Sequence, residues 1–146
     1  MKRIIVVLII GFVLVACGEQ TEPLKPLDIG MPNTVTLSNG KVVYKIDGEW
    51  NVVVKISMRG KNKNVYKISQ DGNKFVGIHL KEGEYLGKGA EAIKGELEKN
   101  GFKSLYVNTS TEGWIPATAK ISENCYKIIY KAEVEGLNIE ITTTRK

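Results

Sequence analysis

A two-residue hydrophobic alternation, broken by glycine turns, constrains this chain more than any other feature. Val42, Tyr44 and Ile46 alternate with Lys41, Val43 and Lys45. Val52, Val54, Ile56 and Met58 alternate with Asn51, Val53, Lys55 and Ser57. Tyr126, Ile128, Tyr130, Ala132 and Val134 repeat the pattern, as do Leu137, Ile139 and Ile141. Successive strand side chains point to opposite faces, so each run buries one face and wets the other. Asn39-Gly40, Asp47-Gly48, Asp71-Gly72 and Glu135-Gly136 punctuate the runs. Tight hairpin turns need positive φ at their central positions, which Gly, Asn and Asp adopt most readily. The pattern predicts strands near 34–38, 41–46, 50–58, 64–69, 74–81, 102–107, 115–122, 126–134 and 137–142. Arg59-Gly60-Lys61-Asn62-Lys63-Asn64 reads as a basic connecting loop.

One segment changes period. Ala90, Ile93 and Leu97 fall at i, i+3 and i+7, which predicts a helix over 88–100, with Asn100-Gly101 as its stop. Gly95 weakens that helix by about 1 kcal/mol and marks close packing on a sheet. The expected class is therefore α+β: mostly antiparallel β, eight to nine strands, with one helix near 88–100. A helix of that length spans about 20 Å, enough for some four strands at about 4.8 Å spacing. The sheet must then curl strongly or split into two layers.

The N-terminus carries a different message. Met1-Lys2-Arg3 is basic, residues 4–15 are apolar apart from Gly11, and Leu14-Val15-Ala16-Cys17 is followed by polar Gly18-Glu19-Gln20. The apolar run falls short of the roughly 20 residues a spanning helix needs, and reads as the core of a signal peptide. Leu14 to Cys17 resembles the lipobox of bacterial lipoproteins. The resemblance covers residues 1–17 only. It implies cleavage between Ala16 and Cys17, a thioether-linked diacylglyceryl group on Cys17, and a membrane anchor of two or three acyl chains. Gly18 stands where some bacteria place an Asp retention signal, so the implied location is the periplasmic side of the outer membrane in a Gram-negative cell. In a Gram-positive cell it is the outer face of the cell membrane. The organisation expected is a signal peptide (1–16), a lipidated Cys with a proline-bearing tether (17–33), and one β-rich domain (34–146).

The remaining residues narrow the chemistry. The chain has a formal net charge of +5, and loss of Lys2 and Arg3 would leave +3, too mild to argue for nucleic acid. One histidine and two cysteines do not make a zinc set, so no metal and no cofactor are expected. No Gly-x-Ser-x-Gly elbow accompanies His79, which reads as an exposed strand histidine rather than a catalytic one. Cys125 reads as a partly buried structural thiol. Gly87-Lys88-Gly89 reads as a flexible entry to the helix. Lys41, Lys45, Lys55, Lys67, Lys127 and Lys131 occupy outward strand positions, where Lys also guards against edge pairing. With Arg59, Lys61 and Lys63 they form a candidate surface for anionic headgroups or an acidic partner. Trp114, in the turn-like Glu112-Gly113-Trp114-Ile115-Pro116, is the remaining candidate contact.

These features lead to an expected non-catalytic binding or assembly module of the cell envelope, held at a membrane by Cys17 and facing an envelope protein partner. The alternatives are a carrier of a small apolar ligand or lipid in a cavity between sheet and helix, and an envelope enzyme of unrecognised type.

Overall fold

The computed structural model describes residues 34–122 and 124–146. The signal peptide, the Ala16–Cys17 cleavage site and the tether lie outside them. β1 (Thr34–Thr36) and β2 (Val42–Tyr44) form a hairpin through a turn at Gly40, whose φ is +78°. The other strands are β3 (Gly48–Ile56), β4 (Gly60–Asp71), β5 (Lys74–His79), β6 (Glu91–Glu98), β7 (Gly101–Thr109), β8 (Gly113–Pro116), β9 (Thr118–Ile121), β10 (Lys127–Val134) and β11 (Leu137–Arg145). They form one antiparallel sheet in the order β8-β7-β6-β5-β4-β3-β11-β10-β9.

The two ends of that order are the same piece of chain. Only Ala117 separates β8 from β9, and its amide donates to the Leu105 carbonyl at 2.9 Å. The first half of this bent strand pairs with β7 and the second half with β10. The sheet therefore curls into a nearly closed up-and-down barrel with eight staves, and the seam falls at the bend. Such a barrel has an interior just wide enough to be filled by side chains or to hold one small ligand.

The fold is all-β among the described residues, and the expected α+β class is corrected. Residues 91–98 form β6, between β5 and β7. Inward positions of β6 are Ile93, Gly95 and Leu97, a strand period with a glycine in its centre. Gly95 lies opposite Phe75 on one side and Leu105 on the other. A Cβ at Gly95 would strike the Ser104 carbonyl. The missing side chain leaves Ile93 and Leu97 four residues apart, which imitates helical spacing. With no helix, one sheet covers its own core. No helix among these residues is long and apolar enough to cross a membrane.

One end of the barrel is packed and closed. Trp50, Ile46, Val43, Ile128, Tyr130 and Thr143 are all fully buried. Val43 enters the core from the β1–β2 hairpin while Val42 stays on the surface, the reverse of the expected phase. The Trp50 indole donates to the Ile46 carbonyl at 2.9 Å, fixing the chain that plugs this end. Arg145 lies 4.9 Å from the Trp50 ring, Phe75 meets Phe102 edge-on, and Phe102 lies tilted against Tyr130 with ring centroids 6.3 Å apart. Each large side chain buried in this way contributes about 1.5–3 kcal/mol. At the opposite end the turns 57–59, 110–112 and 135–136 and the long 80–90 loop gather around an opening. Glu135 and Gly136 both have positive φ, +49° and +76°, so the turn expected there is formed.

Candidate functional site

A cavity of about 150 Å³ opens at the unplugged end of the barrel. Its two walls differ in chemistry. β4 turns Asn62, Asn64 and Tyr66 inward, and β5 adds His79 directly opposite Tyr66. The facing wall is apolar: Val54 and Ile56 from β3, Val107 from β7, Val134 from β10, and Ile139 and Ile141 from β11.

His79 and Tyr66 meet edge to face, with ring centroids 4.9 Å apart. Burial lowers the His79 pKa and raises that of Tyr66, so both are neutral near pH 7. His79 Nδ1 is enclosed and has no hydrogen-bond partner. A general-base histidine has this nitrogen bound to a carboxylate, which sets its tautomer and supports the imidazolium. In this structure His79 Nδ1 makes no such bond.

The 80–90 loop is tied over the polar wall. The His79 amide donates to the Ala90 carbonyl at 2.9 Å, and the Gly89 amide to the His79 carbonyl at 2.8 Å. Asn62 Nδ2 donates to Glu84 Oε2 at 2.8 Å, and the Lys88 amide to Glu82 Oε2 at 3.1 Å. Gly83 permits this approach. A Cβ there would lie 2.8 Å from Asn64 Nδ2 and 3.2 Å from His79 Cε1. Tyr85, Leu86 and Glu84 from this loop complete the rim, with Arg59, Ser110, Thr111 and Glu135.

Comparison with protein-family models, curated proteins and solved structures finds no match. The chemistry must therefore be read from the barrel itself.

The residues singled out in the sequence are dispersed around it. Arg59 lies in the 57–59 turn at the rim of the opening. Lys61 and Lys63 belong to β4 rather than to a loop, because β4 begins at Gly60. Both point outward. Lys61 stands opposite Lys55, and Lys63 opposite Val53. The wider lysine face is interrupted by acids: Glu140 lies opposite both Lys55 and Lys131, and Glu49 opposite Lys67. Trp114 sits half-buried on the outer wall with Lys94 Nζ 4.0 Å above its ring, and does not line the cavity. Gly87-Lys88-Gly89 leads into a strand, so no helix N-terminus exists there. Cys125 is buried in a turn at φ +52°, and burial pushes its thiol up to about 11. Cys17 lies outside the described residues. Among those described, no three His, Cys, Asp or Glu side chains are grouped to hold a metal ion.

The expectation of an exposed His79 is corrected, since the residue is 7% exposed. Phe75, Gly77 and His79 face inward, while Val76 and Ile78 face out. Gly77 hides the alternation on β5, as Gly95 does on β6, so Val76 and Ile78 imitate an inner face in the sequence. Tyr66, Asn64 and Gly83 were not identified from sequence. The available signal was Asn62, Asn64 and Tyr66 recurring every second residue toward a strand's inner face.

Proposed function

We propose that this chain is a small-ligand-binding module of the bacterial cell envelope, held at a membrane through lipidated Cys17. The observation that carries this reading is the half-empty barrel. One end is packed solid around Trp50, and the other keeps a roughly 150 Å³ cavity with one polar and one apolar wall. A core under selection for stability alone fills such a space, because each unfilled volume costs packing energy. The cavity is formed by the sheet and its loops, without the helix first expected to help enclose it. A volume of this size matches one small ring rather than a lipid.

The test is native mass spectrometry of the full chain extracted from its own membranes, beside a Cys17→Ala form and an Ile139→Trp form. A lipid-bearing mature mass starting at Cys17, plus a small non-covalent adduct absent from Ile139→Trp, supports the reading. An unmodified soluble product removes the anchor. Protein without adduct, which also fails to respond to small aromatic or aliphatic probes, removes the ligand role.

An assembly role is favoured by a different observation. Met58 is 96% exposed at the tip of the β3–β4 turn, in a left-handed conformation beside Arg59. A photo-crosslinker at position 58 in living cells would yield one discrete adduct with an envelope protein under this reading, and none otherwise.

A further inference from the structure

We infer that the barrel-mouth cavity selects a small, uncharged, carbonyl-bearing molecule about the size of a substituted benzene ring, with its oxygen directed to His79 and Tyr66. This rests on the ligand-binding reading above and goes further by naming the chemistry.

The charge of the ligand follows from His79. Its Nδ1 is enclosed with no partner. A proton there would be a buried donor without an acceptor, so the cheaper tautomer leaves a lone pair on Nδ1 and puts the proton on Nε2. The imidazolium needs protons on both nitrogens and is therefore disfavoured by the same geometry. The ring that lines the cavity offers one neutral N–H. Tyr66, its cross-strand neighbour, offers a neutral O–H. Asn64, buried on the same wall, has its Oδ1 occupied by the Val65 amide at 2.7 Å, which leaves its NH₂ as the remaining group. The polar wall thus offers uncharged donors from His79, Tyr66 and Asn64, beside the Oδ1 of Asn62, whose Nδ2 is taken by Glu84.

No formal charge stands within the cavity. The charged lining residues, Arg59, Glu84 and Glu135, all belong to rim turns and loops, and they sum to one negative charge. A carboxylate entering would exchange water for neutral donors under a slightly negative rim, which is an unfavourable transfer. A carbonyl oxygen accepts from two donors at little desolvation cost, and the body of the molecule meets Val107, Val134, Ile139 and Ile141. The volume sets the size: an apolar cavity of about 150 Å³ is filled by a benzene ring.

The experiment compares three ligands of one shape. Acetophenone, ethylbenzene and benzoate are titrated into the full chain held in lipid nanodiscs, with empty nanodiscs as the blank. The reporters are the Ile139 and Ile141 methyl resonances and the His79 ring nitrogens. Acetophenone should bind about tenfold tighter than ethylbenzene, the usual weight of hydrogen bonds between neutral groups. Benzoate should bind weakest, and the His79 nitrogens should report an Nε2–H tautomer throughout. His79→Leu should bring acetophenone and ethylbenzene to within about twofold. The wild-type ratio stands whether or not that variant folds. Ethylbenzene binding as tightly as acetophenone, or benzoate binding tightest, overturns the carbonyl inference and leaves the ligand site in place. Absence of methyl shifts with all three ligands overturns the ligand-binding reading and this inference with it.

Discussion

Ile93 occupies the space that a side chain at position 77 would need. A Cβ on Gly77 would lie 2.6 Å from Ile93 Cγ1 and 3.1 Å from its Cδ1. The two residues face each other across β5 and β6, beside a register shift between Gly77 and Ile78. Ile93 is fully buried, so it has nowhere to retreat.

Gly77→Ala should therefore destabilise the barrel by about 1–3 kcal/mol through overpacking. That exceeds the roughly 0.4–1 kcal/mol gained by stiffening the unfolded chain. Urea unfolding would show the loss. In Gly77→Ala/Ile93→Ala the combined cost should fall short of the sum of the two single costs, because the second change removes the obstruction. Simple additivity would mean that the two side chains do not compete for one space.

Trp50 closes the packed end by volume and by one hydrogen bond. Trp50→Phe retains most of the apolar surface but leaves the buried Ile46 carbonyl without its donor. The expected cost is about 1–3 kcal/mol, read from the shift in urea midpoint at unchanged slope. A neutral substitution would show that water or another donor reaches Ile46.

His79 gives the barrel a pH dependence of known sign. Its folded pKa lies below the ordinary 6.5 because burial disfavours the charged ring. Between the folded pKa and 6.5 the unfolded chain binds a proton that the folded chain does not. Stability therefore rises with pH across that window and is lost as the solution is acidified through it. Above about pH 7 the contribution is flat. The chain has a single histidine, so the slope can be assigned. Urea midpoints measured from about pH 5.5 to 7.5 should climb in the native chain and lie flatter in His79→Gln. Equal slopes would place the histidine in solvent.

The outline of this fold was legible wherever large side chains alternate. β3 and β10 could be read almost to their ends, because Val52, Val54, Ile128 and Tyr130 point inward without interruption; β11 was legible through Ile141 but continues to Arg145, where inward Thr143 breaks the apolar pattern. The reading failed where glycine occupies an inward position. Gly77 makes room for Ile93 and Gly95 for the β7 backbone, and each breaks the visible period. One such gap turned β6 into a helix and the other turned His79 outward. The cavity was hidden for a separate reason. It depends on the curl that brings β4 and β5 across from β10 and β11, and no local pattern encodes that juxtaposition. Asn62 and Asn64 also resemble loop residues until their neighbours show that they line a polar wall.

Cys125 should behave as an inert thiol in the folded chain. Its pKa is pushed up to about 11, chiefly by burial, with Arg145 acting weakly in the other direction. The thiolate is the reactive species, and at pH 8 little of it forms. In a Cys17→Ser chain, a thiol reagent should label Cys125 only at the rate of unfolding, and rapidly in urea. Fast labelling without denaturant would show that the 122–126 turn opens locally.

Trp114 and the outward lysines separate surface chemistry from cavity chemistry. Lys94 caps the Trp114 ring at 4.0 Å on the outer wall, and such a partly exposed cation–π contact contributes about 0.5–1 kcal/mol. Lys94→Met should cost no more than that, and should leave the acetophenone titration unchanged because neither residue lines the cavity. Replacing Lys61 and Lys63 together by Gln should also spare the titration, since both side chains point away from the barrel interior. It should instead weaken attraction to anionic vesicles if the basic hairpin end meets headgroups, with an effect that fades as salt is added. Vesicle co-sedimentation at two ionic strengths reads that difference. A loss of ligand response in either variant would mean that the outer wall and the barrel mouth are coupled, which the separation of their side chains across the sheet does not predict.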